Sequence, residues 1–303
     1  MNNIDFHINN LIDEIPQKSN PERTDIVLEG GLFNGSYLLG ALYYLKGLEQ
    51  RNIIKINRLS GCSIGSLVAL IYYANAFDLV DIIYKITYNH FKKKYNVDIF
   101  SKIFSKIRPY ITKDAFRRLN GNLYITFFDI KENIQIVKNT YKNIDDLFET
   151  IHKSCYCPYV VDNSFVYKKK FVDGFYPYLF PVTSSNKKVL YLNIHNFDKL
   201  ANCISIKNEK TNYTRIFTGI LDIHSFFKYK TPTSICSYVN DWSLLDIITN
   251  YIFIQIVKII PYLLHKIYLL NKVILKSNID VSLTMYNQIV KACYIYFIKS
   301  YCV

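Results

Sequence analysis

The sequence is poor in the residues that build disulfide scaffolds and metal centres. It has 7 cysteines among 303 residues, an odd and scattered set without a CxxC pair, and it has no His-Glu-x-x-His motif. Such cysteine usage is typical of a reducing, intracellular compartment. We therefore expect a cytoplasmic protein without a disulfide framework, whose chemistry uses neither a metal nor a cofactor.

Targeting and membrane-spanning segments are also lacking. The first 19 residues contain no basic stretch followed by an apolar run, so we expect no signal peptide. Residues 247–275 are strongly apolar, but Lys258, Pro261 and Lys266 interrupt them before the roughly 20 uncharged residues of a spanning helix are reached. We expect two amphipathic helices on either side of Pro261, packed on the core in preference to touching a membrane.

Negative charge is in short supply. The chain has 37 Lys and Arg residues against 24 Asp and Glu residues, a formal net charge of +13, which favours anionic partners. Nucleic acid is the poorer candidate, because half of the residues are hydrophobic and no nucleic-acid-binding motif occurs. A lipid headgroup surface fits better, so we expect peripheral contact with anionic membranes.

Residues 85–118 carry much of the positive charge, with ten Lys or Arg residues against two acidic residues. Apolar residues recur there at helical spacing, while lysines lie on another face. The apolar positions are Ile99, Phe100, Ile103, Phe104 and Ile107, and the lysines are Lys102 and Lys106. Two interpretations stay open: a helix that lies in a membrane interface, or a surface helix whose apolar face is buried in the core.

Glycine is scarce, and its distribution is informative. Seven of the 10 glycines fall in three short segments, which indicates backbone requirements such as positive φ or close approach. In the first segment, Ile26 to Leu28 are typical of a buried strand and a helical pattern begins at Ser36. Gly30, Gly31 and Gly35 lie between them, where the N–H groups at a helix start suit an oxyanion or a phosphate.

The second segment, Gly61-Cys62-Ser63-Ile64-Gly65, again joins a strand to an apolar helix and fits G-x-S-x-G. In such a nucleophile elbow the serine occupies a sharp, strained turn, which requires small residues two positions before and after it. The third segment has Asp173-Gly174 at the end of a predicted strand. By itself, this pair is more typical of an ordinary turn than of a catalytic carboxylate.

Taken in this order, the three segments resemble the patatin-like phospholipase family, which carries G-G-G-x-[RK]-G, then G-x-S-x-G, then D-G-[GA]. The segment from Ser154 to Pro158 is similar to the family's S-x-x-x-P. The resemblance covers residues 24–200 and implies a three-layer α/β/α domain with a mostly parallel central sheet. Residues 1–23 would be an N-terminal extension, and residues 201–303 a mainly helical C-terminal region packed on the core.

The resemblance implies a lipid acyl hydrolase of the phospholipase A or lipase type. Ser63 would attack an acyl ester of a phospholipid or other lipid, and Asp173 would act as the base of a Ser–Asp dyad. A true α/β-hydrolase would instead use His195, which follows Asp173 at a strand end. We favour the dyad, because the glycine loop precedes the serine. The implied oxyanion hole is the backbone of Gly30, Gly31, Leu32, Asn34 and Gly35.

Leu179 and Phe180 replace the usual Asn of the family before Pro181, and three positions in or beside the motifs also depart from the family pattern. Leu32 replaces the third glycine, Asn34 stands where the family has Arg or Lys, and Phe175 stands where a small residue is common. Backbone N–H groups hold an oxyanion whatever the side chain, but Leu32 strains the loop if its position requires positive φ. A second hypothesis is therefore a catalytically weak or inactive member that binds lipid or a partner through its basic face.

Overall fold

The computed structural model describes residues 2–16, 19–162, 164–182, 187–195, 199, 202–207, 209–276 and 280–302. A seven-stranded sheet forms its centre, in the order β4-β3-β2-β1-β6-β7, with β5 also paired to β3. The strands are β1 (Glu22–Leu28), β2 (Ile54–Cys62), β3 (Leu123–Asp129), β4 (Ile134–Lys138), β5 (Phe171–Val172), β6 (Lys187–Leu192) and β7 (Cys236–Tyr238). The strands β3, β2, β1 and β6 run parallel, whereas β4, β5 and β7 pair antiparallel.

Helices flank this sheet. They are α1 (Asn2–Asp13), α2 (Gly35–Gln50), α3 (Ile64–Ala74), α4 (Val80–Lys94), α5 (Phe100–Ile107), α6 (Lys113–Leu119), α7 (Ile144–Ser154), α8 (Tyr213–Tyr229), α9 (Leu244–Lys276) and α10 (Asp280–Phe297), followed by a short π-helix (Ile298–Cys302). The prediction of an α/β fold with a mostly parallel central sheet is confirmed. The fully buried run from Ile26 to Leu28 is typical of a strand covered on both faces.

The apolar face of α5 is buried in the core. Phe100, Ile103, Phe104 and Ile107 are each at most 9% exposed, and Phe104 stacks on Phe148 of α7. Of the two interpretations of residues 85–118, burial in the core is therefore the one that the structure adopts. Lys93, Lys94, Lys102 and Lys106 remain exposed. The charged side chains of this segment are therefore accessible at the surface, whereas the apolar side chains of α5 are not.

The segment around Pro261 differs from its prediction in two respects. Ile216, Ile220 and Ile223 of α8 are buried, but Pro261 does not split the next segment into two helices, and most of that segment is exposed and not packed on the core. The proline lies inside the continuous helix α9 and is buried. The free energy gained by burying its ring offsets part of the cost of the backbone hydrogen bond that proline cannot make. Most of α9 is exposed, and Leu244–Leu270 is long and apolar enough to cross a membrane by length and composition alone.

Candidate active site

The sheet brings the second and third glycine segments together end to end. Strand β4 pairs along one edge of β3. Along the other edge, β2 pairs with β3 only as far as Cys62 and Thr126, and β5 pairs with the residues of β3 that follow. Because β5 runs antiparallel to β3, its chain heads back toward the end of β2. Ser63 and Asp173, the residues that follow these two strands, therefore meet in the gap between them.

Ser63 occupies a strained turn between β2 and α3. Its backbone has φ 50° and ψ −131°, a conformation that non-glycine residues rarely adopt and that clusters at functional sites. A Cβ atom on Gly61 would lie 2.6 Å from the Gly65 carbonyl carbon, and one on Gly65 would lie 2.6 Å from the Glu29 oxygen. Both glycines are thus sterically required, which is the physical content of the G-x-S-x-G spacing.

The Asp173 carboxyl is buried and faces the serine. It is 6% exposed, and its Oδ1 accepts a hydrogen bond from the Phe175 N–H at 2.9 Å. Burial raises the pKa of Asp173 to about 6, while hydrogen bonds from the Ser63 side chain and the Phe175 N–H hold the rise in check. Such a carboxylate is ionised at neutral pH and more basic than an exposed one.

Ser154, at the end of α7, joins the two halves of this arrangement. Its Oγ accepts the Ser63 N–H at 2.9 Å, and its carbonyl oxygen accepts the Gly174 N–H at 3.3 Å. The Asp173 N–H donates to the Tyr156 oxygen two residues later, at 2.9 Å. The only sequence signal for this role of Ser154 is its place in the S-x-x-x-P segment.

The glycine loop lies against the elbow, and it contains a second strained residue. A Cβ atom on Gly30 would lie 2.9 Å from the Ser63 Cβ, so the loop backbone touches the serine. Gly31 has φ 147°, and Leu32 has φ 43°. Leu32 thus has the positive φ that strains the loop, as the sequence analysis allowed. This conformation costs about 1–2 kcal/mol for a non-glycine residue.

The N–H groups of this loop differ in what they can offer to a substrate. The Asn34 N–H donates to the Gly31 oxygen at 2.8 Å, and the Gly35 N–H bonds back to the loop. The Gly30 N–H interacts with the Cys62 thiol. Among the described residues, the N–H groups of Gly31 and Leu32 make no such bond. Asn34 and Gly35, in contrast, use their own N–H groups within the loop.

The Asn34 side chain points into a buried polar network that holds the loop. Its Nδ2 donates to the Lys199 oxygen at 2.8 Å, and its Oδ1 accepts from Arg215 Nη1 at 2.9 Å. Arg215, on α8, is 1% exposed and also donates through Nε to both carboxylate oxygens of Glu209, at 3.0 and 2.9 Å. Asn34 carries no positive charge, whereas the family has Arg or Lys at this position. Here the positively charged group beside the loop is Arg215, which is far away in sequence.

This network gives a stability prediction for Asn34→Arg, which restores the residue type of the family. A second guanidinium beside Arg215 would be a buried like charge without a partner, because Glu209 is already engaged. We expect a loss of about 3 kcal/mol or more in the free energy of unfolding, measured by urea denaturation. Asn10→Arg, at an exposed position on α1, is the control and should change it little. Equal unfolding midpoints for the two variants would contradict this account of Asn34.

His195 has partners other than the serine. Its Nδ1 contacts the buried carboxylate of Glu29, which also accepts the Tyr191 hydroxyl, and its ring lies 5.6 Å from that of Phe253. Burial lowers the pKa of His195, so the imidazole is neutral at pH 7. Within the described part of the chain, no hydrogen bond connects His195 to Ser63 or Asp173.

A narrow apolar cavity of about 100 Å³ is lined by Ser63 and by side chains of α3, α4 and α5. Leu67, Ile83, Phe100 and Ile103 form much of its wall. The cavity is smaller than the about 300–1,000 Å³ that small-molecule sites usually occupy, and most of its lining side chains are apolar. No cluster of three or more His, Cys, Asp or Glu side chains that could hold a metal ion occurs among the described residues.

The family model for patatin-like phospholipases matches residues 26–184, just over half of the chain. Two solved structures are similar to it. One is the ExoU–SpcU heterodimer of the Pseudomonas aeruginosa type III secretion system, with 14% identity, a TM-score of 0.43, and coverage of 73% of this chain and 53% of that chain. The other is Legionella pneumophila VipD, with 13% identity, a TM-score of 0.32, and coverage of 58% and 52%.

The chain thus spans about half the length of both solved structures. No curated protein matches it.

Proposed function

The chain belongs to the patatin-like phospholipase family, and from this we propose that it hydrolyses an acyl ester of a phospholipid or other lipid with a Ser63–Asp173 dyad. The observation that carries the proposal is the buried Asp173 carboxylate facing Ser63. The apolar cavity that Ser63 lines supports an acyl chain as the group that is bound. No metal or cofactor enters the proposed chemistry.

In the first step, Ser63 Oγ attacks the ester carbonyl and Asp173 takes the hydroxyl proton. The resulting tetrahedral oxyanion would be held by the N–H groups of Gly31 and Leu32, which lie in the loop that touches the serine. Collapse breaks the ester C–O bond, and the proton on Asp173 passes to the departing alcohol. Water then attacks the acyl-enzyme, and Asp173 accepts a proton from it. Collapse of this second intermediate breaks the bond between the acyl carbon and Ser63 Oγ, the proton on Asp173 returns to Oγ, and the free fatty acid leaves.

Asp173 meets the requirement for a base in this scheme through its burial. An exposed aspartate, with a pKa of about 3.9, is a weak base at neutral pH. The raised pKa of Asp173, about 6, brings the carboxylate closer to the pH at which the reaction runs while leaving it mostly ionised. His195 supplies no proton transfer in this proposal, because its Nδ1 is directed to Glu29.

The pH dependence of the reaction follows from this pKa. The ionised carboxylate is the active form, so kcat/KM should fall about tenfold per pH unit below about 6 and be level above about 7. Initial rates on a soluble short-chain ester between about pH 4 and 8 give the profile. His195→Gln is the control and should leave the midpoint unchanged. A midpoint that disappears in this variant would move the proposal to a Ser–Asp–His triad.

A second function deserves a test because Leu32 strains the loop that would hold the oxyanion. In this alternative the protein binds lipid and does not turn it over. A hydrolysis screen across phospholipid and neutral lipid classes, with Ser63→Ala as the control, separates the two. Release of free fatty acid by the wild type alone is the result that we expect. Lipid binding without release, at every class tested, would favour the binding protein.

A further inference from the structure

We propose that helix α9 is a membrane-insertion surface: its outer face enters one leaflet of an anionic bilayer while the helix lies flat beside the candidate active site. The outer face is defined here by seven residues: Leu245, Ile248, Ile252, Ile256, Ile259, Leu263 and Leu270. The inference takes from the proposed function only the choice of lipid as the partner. The surface itself follows from exposure, anchoring and charge.

The exposure of α9 is unusual for so apolar a helix. Among the described residues, 13 of the 26 exposed large hydrophobic side chains lie on it. At about 100° per residue, the seven outer-face residues fall within about 80° of one another. Ile252, Ile256 and Ile259 are 51%, 58% and 52% exposed. A continuous apolar stripe of this kind marks an interaction surface.

The opposite side of α9 is attached to the domain, which determines how the helix meets a bilayer. His265 Nδ1 lies 2.6 Å from the Ile130 oxygen, and Phe253 packs on the ring of His195. Leu264 and Tyr268 pack against a buried cluster at the end of β3. A helix held along its length in this way presents one face, so we infer a flat, interfacial position and not a spanning one.

These attachments place α9 at the rim of the site. Lys258 Nζ lies 5.8 Å from the ring of Tyr176, three residues after Asp173. His195, which Phe253 contacts, is paired with Glu29, the residue before Gly30. Insertion of the outer face would therefore hold this rim of the candidate site against the bilayer surface.

Charge favours a lipid surface over a second copy of the chain. Lys258 and Lys266 are exposed on α9, and such side chains extend their charged ends toward headgroups while their stems lie on apolar surface. Tyr251 and Tyr262 are exposed beside them, as is common at membrane interfaces. Two copies joined through α9 would bring the same lysines together, in a chain that already carries +13.

The test is vesicle flotation of the Ser63→Ala protein, so that binding is read without turnover. Vesicles contain phosphatidylcholine with or without phosphatidylserine. The test variant is Ile252→Glu/Ile256→Glu/Ile259→Glu. The matched control is Ile82→Glu/Phe217→Glu/Leu221→Glu on α4 and α8, with the same change in charge at exposed apolar positions. Folding of each variant is checked by circular dichroism. It is also checked by turnover of a soluble ester, measured with the same substitutions in the protein that keeps Ser63.

We expect phosphatidylserine to strengthen binding, and part of the binding to persist at about 1 M salt, where the Debye length is about 3 Å. The α9 variant should lose at least tenfold in partition coefficient, and the control less than twofold. Equal losses in the two variants would overturn the proposal. So would a dimer in solution that only the α9 variant dissociates, or resistance of wild-type binding to alkaline carbonate extraction, which indicates a spanning helix. Intact binding without ester hydrolysis would reject the proposed function and leave this inference standing.

Discussion

Replacing Ser63 by alanine is expected to lower kcat/KM on a short-chain ester by at least about 10³-fold and to leave the fold intact. The loss is large because no neighbour can replace the nucleophile. The Cys62 thiol beside it is fully buried, and burial raises its pKa well above the usual value. The Ser66 hydroxyl is already engaged, because it donates to the Ser63 oxygen at 2.6 Å.

The fold should survive this substitution because the bonds that hold the turn at Ser63 are made by its backbone, and the Asp173 carboxylate keeps the hydrogen bond from the Phe175 N–H when the serine hydroxyl is lost. The Ser63 N–H donates to Ser154, and its carbonyl oxygen accepts from Ser66; alanine keeps both. Ser105→Ala, at an exposed position on α5, is the matched control and should retain full turnover. Near wild-type turnover by Ser63→Ala, with an unchanged circular dichroism spectrum, would show that another residue is the nucleophile.

Asp173→Asn is expected to be nearly as damaging, with a loss of about 10²–10⁴-fold in kcat. Asparagine has almost the same shape, and its oxygen can still accept the Phe175 N–H that Oδ1 accepts now. What it cannot do is take the proton from Ser63. Removing a buried carboxylate whose pKa is raised by burial also leaves no unpaired charge behind, so the loss should lie in turnover and not in folding.

The comparison with His195→Ala identifies the base. His195 contacts Glu29 and lies outside the dyad, so we expect its removal to cost less than about tenfold in turnover. Steady-state kinetics of both variants on one soluble ester, with unfolding midpoints measured in parallel, give the ranking. The reverse ranking, with His195→Ala inactive and Asp173→Asn partly active, would contradict the dyad.

Local sterics made part of this site predictable from sequence. The elbow depends on residues within two positions of Ser63, and a chain with 10 glycines that places two of them at Gly61 and Gly65 reveals the turn directly. The strain at Leu32 was also predictable, as a condition on φ, because it concerns one residue. Both features are decided within a few residues of chain, where sequence patterns are most informative.

Long-range pairing accounts for what sequence did not reveal. Nothing local indicates that β5 fills the position beside β3 that β2 leaves, although this pairing is what brings Asp173 to Ser63. Arg215 reaches Asn34 across 181 positions of the chain, and Ser154 joins two loops. The expected break of the helix at Pro261 does not occur. The tendency of proline to end a helix describes an isolated helix, whereas Pro261 in α9 is buried against the domain.

The most direct test of the central claim is labelling of the intact protein with a fluorophosphonate, followed by peptide mass spectrometry. The reagent reacts only with a serine whose hydroxyl is activated and whose phosphoryl oxygen can be held as an oxyanion is. We predict one label, on Ser63, absent from Ser63→Ala and strongly reduced in Asp173→Asn. The absence of any label on the folded protein, or a label on another serine, would contradict the account.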